Sequence, residues 1–136
     1  MIKGIAHICL IANDMAAAER FYCSGLGFKK AFEFLRGGKP AGFYLEVVPG
    51  AYIEIFPRDD IDPKAKSPIQ HFCLEVDALE PLRKRLMDLG YEVTEKKLGA
   101  DHSWQMWTSD PSGTRIEFHH YTPDSCQLTR QNCVLG

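Results

Sequence analysis

Residues 4–14, Gly-Ile-Ala-His7-Ile-Cys9-Leu-Ile-Ala-Asn-Asp14, and residues 67–77, Ser-Pro-Ile-Gln-His71-Phe-Cys73-Leu-Glu-Val-Asp77, are two forms of one phrase. Each is a strand-like apolar run that carries His-x-Cys and ends on a residue able to cap a helix. After the first, Asn13 or Asp14 can cap a helix over residues 15–25, with Met15, Ala18, Phe21 and Tyr22 at helical spacing and Gly27 as terminator. Strands follow over 29–36, 43–48 and 51–56, separated by turns at Gly37-Gly38-Lys39-Pro40 and Pro49-Gly50. After the second, Asp77 can cap a helix with Glu80 as its capping-box partner, and Leu79, Leu82, Leu86 and Leu89 lie on one face. Strands are then expected over 91–97, 103–109 and 114–121, the last two joined by a tight turn at Asp110-Pro111-Ser112-Gly113.

The repeat is in register. His7 precedes Gly27 by 20 residues and Glu54 by 47; His71 precedes Gly90 by 19 and Glu117 by 46. Several coincidences at matching places argue for an internal duplication. The expected fold is α+β: two βαβββ modules, about 4–57 and 68–121. A polar, proline-containing connector runs over about 58–69, and 122–136 is a patternless tail. All 136 residues are taken as a single domain.

Composition narrows the classes. A formal charge of −2 offers no electrostatic footprint for nucleic acid or an anionic membrane. No apolar run approaches the roughly 20 residues that cross a bilayer, and the N-terminal stretch is too soon interrupted by polar residues for a signal peptide. Five cysteines without a CxxC point to reduced thiols and a cytoplasmic setting.

Strand alternation places the chemistry. In residues 51–56, Ile53 and Ile55 share one face and Tyr52, Glu54 and Phe56 the other; in 114–121, Ile116 and Phe118 oppose Arg115, Glu117, His119 and Tyr121. The aliphatic faces take the helices, so each half offers one His and one Glu on the opposite side. Four such groups are costly to bury unpaired, and two imidazoles with two carboxylates suit a divalent cation. His7, Glu54, His71 and Glu117 are the expected metal ligands. Cys9 and Cys73 share the face of each His and read as small lining residues, soft ligands or redox-sensitive groups. His119 reads as supporting the site, facing substrate or simply exposed, and His102 and His120 as surface residues.

The phrases AHICLIANDMAAAERFYCSGLGF, YIEIF, QHFCLEVD and DPSGTRIEF resemble the vicinal oxygen chelate superfamily, which includes glyoxalase I, epimerases, extradiol dioxygenases and bleomycin-resistance proteins. The resemblance covers nearly all of residues 4–121 and implies that the two modules form an open barrel-like cup of mixed sheet with the helices outside; the His-Glu-His-Glu order is most similar to the glyoxalase I branch. It implies a metal-dependent lyase or isomerase acting on an α-hydroxycarbonyl or hemithioacetal through an enediolate. Glu117 would be the base, Glu54 would assist reprotonation, and one nickel, zinc or cobalt ion would be the cofactor. It also implies Gln105 and Trp107 as pocket wall and a homodimer. Arg115 shares the face of Glu117 and either steers an acidic substrate or forms an edge ion pair. Ile11 and Arg58 stand where similar enzymes carry the Arg and Asn that bind glutathione, which weighs against glutathione as cosubstrate. Binding without turnover, epimerisation and oxygen-dependent ring cleavage are the alternatives.

Overall fold

A computed structural model describes residues 1–62 and 64–136. Pro63, part of the expected connector, lies outside the described residues. The chain divides into two compact units, Met1–Ala65 and Lys66–Gly136. Each contains a four-stranded mixed sheet, so the fold is α+β, as the repeat implied.

In the first unit, β1 (His7–Ala12) pairs parallel with β4 (Ala51–Pro57), and β4, β3 (Lys39–Val48) and β2 (Lys29–Arg36) continue antiparallel, in the order β1-β4-β3-β2. Between β1 and β2, α1 (Met15–Glu19) is capped by the Asp14 carboxylate, which accepts from the Ala17 N–H at 2.9 Å. The expected α-helix over 15–25 continues as a π-helix from Arg20 to Gly25. Its wider turn, with Leu26 N–H donating to the Phe21 carbonyl, leaves both Phe21 and Tyr22 fully buried. Gly37 and Gly38, both at positive φ (57° and 75°), form a tight hairpin. The turn is therefore shorter than Gly37-Gly38-Lys39-Pro40, and β3 begins at Lys39. Phe43, Leu45, Ile53 and Ile55 form the buried face.

In the second unit, β5 (Phe72–Glu75) pairs parallel with β8 (Arg115–His120), then β7 (Trp104–Ser109) and β6 (Lys97–Leu98), in the order β5-β8-β7-β6. The unit ends in a short helix, α3 (Cys126–Thr129). The strand expected over 69–76 is shorter because local bonds hold the chain before it. Ile69 N–H donates to Ser67 Oγ at 3.2 Å, and the Gln70 amide donates to the Ser67 carbonyl. His71 thus sits immediately before the ladder.

Two further expectations are corrected. The helix α2 (Leu79–Asp88) is capped by Ala78, with no side-chain cap bond. Glu80 is then the second helical residue and Pro81 the third, so the Asp77–Glu80 capping box does not form. Of the strand expected over 91–97, a bridge from Val93 to Thr108 and the two residues of β6 are present. Side chains replace part of the ladder: Thr94 N–H donates to the Trp107 carbonyl at 2.9 Å, but Trp107 N–H donates to Thr94 Oγ1 at 2.9 Å, and the Thr94 carbonyl accepts from Arg83 Nε at 3.0 Å. Leu79, Leu86, Met106, Ile116 and Phe118 form this unit's buried apolar core.

Candidate metal centre

In the first unit the parallel register sets Cys9 beside Glu54 and His7 beside Tyr52. His7 Nε2 lies 3.4 Å from Glu54 Oε1, with 41% and 18% of the two side chains exposed. The Tyr44 hydroxyl bonds the other ring nitrogen of His7, Nδ1, at 3.3 Å. Tyr44 belongs to an aromatic group on this face. Phe32 stacks on Tyr44 (centroids 4.6 Å), Tyr44 on Tyr52 (5.0 Å), and Phe34 packs against Phe56 (4.8 Å). Gly42 makes room for it: a Cβ there would sit 2.7 Å from the Phe56 ring and 2.8 Å from the Ile55 carbonyl. The role of Tyr44 escaped the sequence reading, although alternation in Phe43-Tyr44-Leu45-Glu46 puts Tyr44 opposite the buried residues.

In the second unit Cys73 pairs with Glu117, and Trp107 pairs with Glu117 from the other side. His71 Nε2 lies 3.2 Å from Glu117 Oε2, and His119 Nε2 lies 2.9 Å from Glu117 Oε1. Only 10% of the Glu117 side chain is exposed. Burial first, and then the Glu117 charge and hydrogen bond, push the Cys73 thiol up to about 12. Cys9 shifts upward for the same kinds of cause, burial and then Glu54. Glu54 and Glu117 carry no Lys or Arg partner among the described residues; their ion-pair partners are histidines. Paired imidazoles and carboxylates of this kind fit a divalent cation of borderline hardness.

The remaining candidates fall around Glu117. Trp107 packs edge-on against His71 at 4.7 Å, and the Arg115 guanidinium lies over Trp107 at 4.6 Å. Trp107 and Arg115 also line a shallow depression with Tyr91, Thr94 and Ser109. Gln105 pairs with His119 across the ladder, and its amide reaches the loop at Gly99. Met106 points to the opposite, buried face, which settles which side of β7 meets Glu117. His120, expected at the surface, is half-buried, with Nδ1 at 3.1 Å from the Val76 carbonyl.

A sequence profile of the Glyoxalase/Bleomycin resistance protein/Dioxygenase superfamily matches residues 4–118. The chain belongs to this superfamily. Superfamily members often bind a divalent metal. Solved structures show the same fold. A glyoxalase family protein from Enterococcus faecalis is 24% identical, with a TM-score of 0.73 over 86% of this chain and 97% of that one. Lactoylglutathione lyase from Agrobacterium tumefaciens is 19% identical, with a TM-score of 0.66 over 88% and 94%. The fosfomycin resistance protein FosX from Listeria monocytogenes is 18% identical, with a TM-score of 0.72 over 90% and 96%. No curated protein matches the chain. Among the described residues, no helix is long and apolar enough to cross a membrane.

Proposed function

We propose that this superfamily member is a divalent-metal-dependent, glyoxalase I-like lyase or isomerase acting on a small α-hydroxycarbonyl or hemithioacetal. The observation that carries the reading is the repeated His–Glu contact, 3.4 Å in one unit and 3.2 Å in the other. His7, Glu54, His71 and Glu117 would hold the ion. Nickel, zinc and cobalt suit these donors. When bound, the ion supplies Lewis acidity for the negative charge that develops on substrate oxygen.

The chain's own residues move the proton. Glu117, fixed between two imidazoles, takes it from the carbon beside the substrate carbonyl, and Glu54 assists its return. Trp107 closes one side of Glu117, and Gln105 and His119 orient substrate polar groups. Arg115 draws an acidic group of the substrate. The Arg58 guanidinium is engaged with Asp60 at 2.7 Å, which supports a substrate other than a glutathione adduct. The reading carries with it a cytoplasmic homodimer.

Purified protein should contain about one divalent ion per chain. Glu117→Gln should lower kcat by about 10²–10⁴-fold, the contribution of a general base, while retaining part of the metal. Turnover is to be screened over α-hydroxycarbonyls with and without glutathione. A fully active Glu117→Gln enzyme would remove Glu117 from the chemistry.

The aromatic group around Tyr44 favours a second reading, capture of a flat apolar ligand without conversion. Tight binding that survives chelation by EDTA, with no product formed, would select it. Oxygen uptake with catechols would instead select a dioxygenase.

A further inference from the structure

The open faces of the duplicated halves differ at two positions that matter for metal chemistry: Phe56 against His119, and Ile11 against Glu75 on the neighbouring strand. On the first unit's open face, His7 and Cys9 of β1 lie beside Glu54 and Phe56 of β4. On the second, His71 and Cys73 lie beside Glu117 and His119. Where the first half has a phenyl ring two residues after its glutamate, the second has an imidazole. Cys73 Sγ, a Glu117 carboxylate oxygen and a His119 ring nitrogen consequently all lie within 4.8 Å of one another. Among the described residues no other group of three such donors is this close.

We propose that Cys73, Glu117 and His119 form a thiolate-containing tripod for zinc or cobalt, carried wholly by the second half. The proposal rests on the metal reading above through Glu117, which both ligand sets use. Donor atoms around a tetrahedral ion at ordinary Zn–N, Zn–O and Zn–S lengths stand about 3.3–3.7 Å apart. Side-chain rotation of about 1 Å brings the trio to that spacing, because all three come from adjacent, hydrogen-bonded strands. As the sulfur–metal bond forms, the thiol proton leaves to solvent. A soft sulfur donor selects zinc or cobalt over magnesium or manganese. Three protein ligands leave a fourth position for solvent or substrate. Glu117 offers Oε1 to this tripod while Oε2 remains on the His71 side. Metal held by the tripod therefore competes with the base role of Glu117.

The test is a cobalt(II) titration of the metal-free full chain, read by absorption. A thiolate-to-cobalt charge-transfer band is expected in the parent, absent in Cys73→Ser and retained in the His7→Ala/Glu54→Gln double variant. His119→Ala should weaken cobalt affinity by about tenfold or more, at least the effect of losing an outer-shell partner. Three results overturn the tripod: no such band in the parent; a band that persists in Cys73→Ser; or a band lost in the double variant, which would assign the thiolate to an ion held by both halves. Should Cys73→Ser lose the parent's circular dichroism, the His119→Ala titration decides, and unchanged affinity overturns the proposal. An intact band in a protein without metal-dependent turnover would leave the tripod standing and defeat the enzymatic reading instead.

Discussion

Glu54 and Glu117 occupy equivalent places in the repeat but different surroundings. Glu54 faces one imidazole, Glu117 two, and the latter is the more enclosed. Both glutamates, with His7 and His71, are legible from spacing and alternation alone. What spacing cannot give is which neighbour fills the adjoining volume. Gly42 illustrates this: nothing in its local sequence marks it, yet its missing side chain lets the Phe56 ring lie against the backbone of β3. Gly42→Ala places a Cβ 2.8 Å from a backbone carbonyl that cannot rotate away, so β3 and β4 must separate or shift. The expected cost is about 1–3 kcal/mol, the range for overpacking. Urea denaturation measures it. Near-ultraviolet circular dichroism should report the displaced Tyr44–Tyr52 and Phe34–Phe56 contacts. An unchanged midpoint would show that the strand pair yields freely.

Helices and strands were legible to different depths. Helix α2 was readable because its leucines recur at 3.6-residue spacing, and Leu79 and Leu86 are indeed buried. Its start was not, because Asp77 and Ala78 both precede the first turn and only backbone conformation chooses between them. The strand after α2 read as regular from composition, yet the Thr94 and Arg83 side chains take over some of the hydrogen bonds a ladder would use. Side-chain competition of this sort depends on partners far along the chain. The π-helical turn has a similar origin: burial of both Phe21 and Tyr22 wins over regular i→i+4 bonding. The α2 contact with β8 carries a direct prediction. Leu86 is fully buried in α2, which packs against β8, and Leu86→Ala should destabilise the protein by about 2–5 kcal/mol through lost burial and a residual cavity. The urea midpoint checks this. A loss below about 1 kcal/mol would mean that the helix collapses onto the sheet with little cavity left.

The duplication accounts for the common strand order of the two sheets, but the chain continues beyond the repeat. Residues 122–136 show no periodicity, so only the structure reveals where this segment goes. Ser125, fully buried, bonds Ser103 Oγ at 3.1 Å and the His102 carbonyl at 3.1 Å. Cys126 N–H donates to the Asp101 carbonyl, and the Gln127 amide donates to the Asp101 carboxylate at 2.6 Å. The segment therefore locks the loop that leads into β7, the strand carrying Gln105 and Trp107. Burial alone would raise the Asp101 pKa. Hydrogen bonds from Gln127 and Ser103 and the charge of His119 outweigh it and hold the carboxyl below its ordinary 3.8. The unfolded chain thus takes up this proton first as pH falls. The stabilisation is complete above about 3.8 and drains away as pH drops through the folded value. Comparing urea midpoints at pH 7 and pH 3, the parent should lose more stability than Asp101→Asn, which keeps the shape but cannot titrate. Gln127→Ala should remove part of that difference. Equal pH slopes in all three proteins would mean that the segment is held by shape rather than by its charge-assisted bond. The loop before β7 would then owe its position to the uncharged bonds, Ser103–Ser125, Ser125 to the His102 carbonyl and Cys126 N–H to the Asp101 carbonyl.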